Sequence, residues 1–78
     1  MIKVGYNNLS ETIKAGLEAA VMSDSFGLRP ETLYNNIVGS LYGARGTDLQ
    51  RINSVANIME VSTYIVSLIF EANFEVED

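Results

Sequence analysis

Residues 25–42 read SFGLRPETLYNNIVGSLY, and the fold turns on how that stretch is parsed. Phe26, Gly27 and Leu28 set a glycine between two apolar residues, the pattern of a tight turn whose backbone enters the left-handed region that glycine tolerates. Pro30 suits the first turn of a helix, where its missing N–H is not needed, and Glu31 sits against the positive end of the helix dipole. Leu33, Ile37 and Leu41 then recur at helical spacing with Val38 beside them, so a helix over 30–43 turns that stripe inward. Its outer side carries amides and hydroxyls instead of the usual Lys and Glu. Tyr34 and Tyr42 read either as an interface pair or as a half-buried core edge. Gly39 weakens the helix, and Gly43-Ala44-Arg45-Gly46 ends it in a loop.

Upstream, Ile2 to Tyr6 alternates apolar and other residues, which predicts a short strand or an extended arm over 1–8. Asn8 with Glu11 three residues on forms a capping box, and Ile13, Gly16, Leu17, Ala20 and Val21 follow as one buried stripe. Ser23-Asp24-Ser25 is turn-prone. Downstream, Thr47 with Gln50 makes a second capping box, and Leu49, Ile52, Val55, Ala56 and Met59 continue at helical spacing. Ser62 or Thr63 can cap a further helix with Tyr64, Ile65, Leu68 and Ile69 as its apolar face. One helix over 48–71 fits the periodicity equally well. Phe74 and Val76 alternate with Glu75 and Glu77, so the acidic tail, 71–78, predicts a strand pairing with residues 2–6. The expectation is a single all-α domain over 1–78, with three to five short helices and short terminal strands.

At 78 residues with 47% apolar content, the chain can bury a core but sits near the lower size limit for standing alone. It has no Cys and no His, which removes disulfides, thiolate metal sites and the usual zinc, haem and acid/base groups. Glu11, Glu18 and Glu60 are isolated carboxylates, and GSLYGARG follows a helix and lacks the Lys-Ser/Thr ending of a phosphate loop. The expectation is therefore no enzyme, no cofactor and no metal. Residues 1–8 are too short and polar for a signal peptide, and Tyr64–Phe70 falls far short of the roughly 20 residues of a membrane span. A cytoplasmic protein is expected.

Net charge is −5, yet Glu71, Glu75, Glu77 and Asp78 supply four of the negative charges, so residues 1–70 carry −5 + 4 = −1. The helix after the Gly27 turn is thus not repelled by phosphate. A helix-turn-helix needs a small residue at its turn and apolar residues on both sides, and Met22, Gly27, Phe26, Leu28, Leu33 and Ile37 meet that need. Its second helix meets DNA near the N-terminus, which selects Arg29, Glu31, Thr32, Asn35 and Asn36, with Arg45 as a further phosphate contact. Asn pairs bidentately with adenine, and Arg reads guanine or phosphate. Tyr64, Ile65, Leu68, Ile69 and Phe70, with Val66, offer more apolar surface than one small core absorbs. They are the expected interface of a homodimer or homotetramer.

FGLRPETLYNNI resembles the turn and recognition helix of the phage CII-type regulators, through Phe26, Gly27, Leu28, Thr32, Leu33, Asn35 and Ile37. The later order is similar too: a loop, a Thr47-initiated helix to Met59, the junction Glu60-Val61-Ser62-Thr63, and an apolar helix from Tyr64 to Phe70. The likeness covers about residues 19–70. It implies a lambda-repressor-like helix-turn-helix domain and a small transcription regulator that binds double-stranded DNA as a homo-oligomer. The reading from a different class is a non-enzymatic helical interaction protein that docks on a host or phage protein, which the charge of −5 and the acidic tail favour.

Overall fold

The computed structural model describes residues 3–23 and 27–74, and among them all regular secondary structure is helical. A 3₁₀ turn at Tyr6–Asn8 leads into α1 (Glu11–Ser23), α2 (Pro30–Gly43), α3 (Asp48–Met59) and α4 (Thr63–Asn73). α2 and α4 each pack against all three other helices, so they form the centre, with α1 and α3 flanking them. The principal extents are 34 × 24 × 20 Å.

The helix ends follow local chemistry. Gly27 takes φ +68°, as the opening stretch predicts, and α2 begins at Pro30. Thr47 and Gln50 form the reciprocal capping box at α3. Whether residues 48–71 are one helix or two is settled at Glu60, which enters the left-handed region at φ 56°. The Val61 amide then reaches back to the Ala56 carbonyl at 3.1 Å, a Schellman closure that buries Val61 beneath it. Ser62 caps the next helix through the Ile65 amide. Two helices result.

Several expectations are corrected. The Asn8–Glu11 box does not form: Asn8 lies in the 3₁₀ turn, and Ser10 caps α1 by accepting from the Ile13 amide. The described residues contain no strand. The expected pairing of 2–6 with the tail falls largely outside the described residues; within them, Lys3 and Val4 donate their amides to the side chain of Asn73, to Oδ1 at 3.0 and 3.1 Å. Ile2, Phe26 and the tail residues Glu75–Asp78 fall outside the described residues, and Glu71 belongs to α4. Met22 and Leu49, expected to face inward, are 86% and 67% exposed. Both lie outside the sectors that the central helices cover.

Tyr34 is the largest correction. It is neither an interface residue nor a core edge but fully buried, with its hydroxyl donating to the Val4 carbonyl and accepting from Asn73 Nδ2. Asn73 also donates to the Ile69 carbonyl, so all four of its hydrogen-bonding positions are filled. Two backbone amides face Oδ1, which fixes the orientation of the side-chain amide. Tyr6 packs edge-on against the Tyr34 ring.

α1 approaches α4 where it lacks a side chain. A methyl group at Gly16 would lie 2.5 Å from Ile65 Cδ1 and 2.6 Å from Cγ1. Gly16→Ala is expected to lose stability: the clash, about 1–3 kcal/mol, outweighs a helix-propensity gain of up to about 1 kcal/mol. In urea denaturation, Gly16→Ala combined with Ile65→Ala should lose less than the sum of the two single changes.

Burial raises the Tyr34 pKa above 10.0, against a smaller lowering by its hydrogen bond to Asn73. The folded pKa lies above the unfolded one, so this stabilisation is whole below about pH 10. It is lost as pH rises through 10 toward the folded value. Tyr34→Phe should lose about 1–2 kcal/mol at neutral pH and show a shallower decline above pH 10, both read from denaturation midpoints across pH. An equally steep decline in that variant would contradict the assignment.

Candidate functional site

α2 is held from behind. Leu33, Tyr34, Ile37, Val38 and Leu41 are buried, and at about 100° per residue Thr32, Asn35, Asn36, Gly39 and Gly43 share the opposite side, all exposed. No charged side chain interrupts that sector. Nothing lies within 4 Å of a methyl group placed at Gly39, so the described packing does not require a glycine there.

Arg29 stands at the N-cap with an extended backbone and no side-chain capping bond, exposed at the start of this face. Glu31 follows in the first turn. The structure therefore brings Arg29, Glu31, Thr32, Asn35 and Asn36 together. Arg45 is exposed in the α2–α3 connection, at the other end of a helix of 14 residues, which is about 21 Å along its axis. Arg29 and Arg45 are not neighbours.

Carboxylates bear on Tyr6, which packs against the buried side of α2 at Tyr34. Burial raises the Tyr6 pKa, and Glu18, Glu31 and Glu11 add to the shift, so three carboxylates bear on that phenol. Lys14 is engaged with Glu11 at 3.7 Å on α1. Residues 24–29 separate α1 from α2, whereas the α2–α3 connection is 44–47 and contains Gly46 at φ +111°. The second connection has the length of a helix-turn-helix turn, about 3–4 residues. α3 also presents an uncharged outer side, Asn53, Ser54 and Asn57, which the reading of the sequence passed over.

The expected oligomer surface is largely consumed. Ile65, Ile69 and Phe70 are buried in the chain's own core together with Val66, and Leu68 is half-buried. Only Tyr64 remains well exposed, at 63%. A single small core absorbs this helix because α4 lies at its centre.

Arg51 leaves the pool of surface cations as well. Its Nη2 donates to the Leu41 carbonyl at 2.8 Å, and its guanidinium lies 5.2 Å from both the Phe70 and Phe74 ring centres. Asp48 sits 3.7 Å from Nη1. α2 has no basic residue in its last turn, so α3 supplies the positive charge for its carbonyl end. Tyr42 completes this aromatic cluster, 4.6 Å from the Phe74 ring.

Asn73 and Arg51 hold the fold through contacts that the sequence pattern alone does not assign. Asn73 was findable: it continues the stripe of Ile65, Ile69 and Phe70 at helical spacing, and a polar residue in an apolar stripe demands partners. Arg51 gave no comparable signal.

No family model, curated protein or solved structure matches this chain. Among the described residues no helix is long and apolar enough to cross a membrane.

Arg51→Ala should lower stability by about 2 kcal/mol, through the carbonyl bond and the lost cover on two rings. Arg51→Lys should recover less than half of that, because an ammonium lacks the planar stacking surface. Chemical denaturation of both variants checks this, and full rescue by Lys would contradict it.

Proposed function

We propose that this protein is a small, non-enzymatic transcription regulator of the phage type, acting in the cytoplasm, that binds double-stranded DNA as a homo-oligomer through the outer face of α2. One observation carries the reading: Arg29, Thr32, Asn35 and Asn36 stand together, exposed, on a helix whose other side is locked into the core. An uncharged amide face suits a groove, where Asn donates and accepts at one base edge. The open position at Gly39 lets a duplex come close to the helix backbone. The likeness of FGLRPETLYNNI to the CII-type turn and helix points the same way.

Two arginines per copy make few phosphate contacts. A dimer using Arg29 and Arg45 from both copies has about four, a salt slope near −3.6. Affinity then falls only about 10²-fold between 50 and 200 mM salt. Two or more copies supply what one lacks.

The rival reading is docking on a host or phage protein with no nucleic-acid role. The commitment of Lys14 and Arg51 elsewhere and the net charge of −5 favour it.

Asn35→Ala and Arg29→Ala should each weaken duplex binding about tenfold at low salt, with unchanged far-ultraviolet dichroism, and Arg29→Ala should flatten the salt slope by about one per copy. Fluorescence anisotropy on labelled duplex measures both. Wild type that flows through DNA-cellulose at low salt hands the α2 face to a protein ligand.

A further inference from the structure

Asn73 and Tyr34 read main chain and no side-chain polar group. Asn73 Oδ1 accepts from the amides of Lys3 and Val4, and the Tyr34 hydroxyl donates to the Val4 carbonyl. The Lys3 residue is exposed, and Val4 adds only partly buried apolar contact. We infer that this pair is a receptor for extended peptide backbone, filled here by residues 3–4 of the same chain and open to the same residues of a second copy, so that two copies exchange their straps.

Three features select a second copy as the alternative occupant. The contacts are to backbone atoms, so an identical strap satisfies the same partners with no new chemistry. The strap precedes every helix of the described residues, and Gly5 is tied to the turn that follows through its carbonyl, which accepts from the Asn8 amide at 3.0 Å, so rotation on the amide side of Gly5 can carry residues 3–4 away with that bond and the Ser10 cap in place. Both receptor side chains are buried, and an empty receptor would leave polar groups unpaired in the core. Opening therefore calls for a replacement strap, and reciprocal exchange gives a two-fold dimer in which each copy completes the other's site. The inference is independent of the DNA reading.

The chain's own strap competes at an effective concentration of roughly millimolar, so the wild type should exchange only near that concentration. Deleting Gly5 from the full chain shortens the tether by about 3.5 Å and should tip the balance. At the same micromolar concentration that variant should sediment with a larger dimer fraction than the wild type, and adding Asn73→Leu should return it to the wild-type distribution. A Gly5-deleted chain that stays monomeric at every concentration, or a dimer indifferent to Asn73→Leu, overturns the inference.

A second measurement does not depend on that deletion. The full-length Val4→Pro chain lacks one strap amide and should bind the free hexapeptide MIKVGY, read as a saturable rise in Tm. Lys3→Thr and Val4→Ile in the peptide should change its affinity by less than about threefold, whereas N-methylation of the Val4 amide should weaken it at least about tenfold. Binding that ignores N-methylation, or no binding at millimolar peptide, contradicts a main-chain receptor.

Discussion

The hydrogen bonds that join Asn73, Tyr34 and the backbone of residues 3–4 are the constraint on which the rest of the molecule depends. They tie the last turn of α4 to the first half of α2 and close the N-terminal strap over both. A buried amide and a buried phenol are unfavourable in an apolar interior unless every donor and acceptor is paired. Here the pairing is complete for the Asn73 side chain, so the polar cluster specifies one arrangement of the two central helices. A purely apolar contact would tolerate sliding; this one does not.

That clasp determines what the surface can do. With Tyr34 drawn inward, the rotation of α2 about its axis is set, and Thr32, Asn35, Asn36 and Gly39 must face out. At the other end of α2, Arg51 receives the Leu41 carbonyl and spreads over Phe70 and Phe74. The helix is therefore pinned at both ends by side chains from other elements. What remains exposed between the pins is an uncharged, mostly small-residue face, the surface that both functional readings use.

The same packing narrows electrostatics. Of the five cations, Arg51 is structural and Lys14 is engaged on its own helix, while carboxylates gather around Tyr6. Ile65, Ile69 and Phe70 already fill the core, so α4 offers a second copy little exposed apolar surface beyond Tyr64.

Local chemistry was legible in the amino-acid order. The Gly27 turn, Pro30 at the start of α2, the Thr47–Gln50 box and the Ser62 cap each depend on residues within a few positions of one another, and periodicity marked most of the core. The exposed set on α2 followed from the same 3.6-residue repeat. What the tertiary structure alone decided were pairings across the chain: Val4 with Tyr34, Lys3 with Asn73, and Arg51 with Leu41 and Phe70. Periodicity reports which side of a helix is apolar, not which neighbour covers it. It therefore assigned Leu49 inward and left Asn73 unremarked. Residues 3–6 alternate like a strand, but a strand needs a partner edge, and the side-chain amide of Asn73 meets the Lys3 and Val4 amides because α4 carries it to where the strap passes.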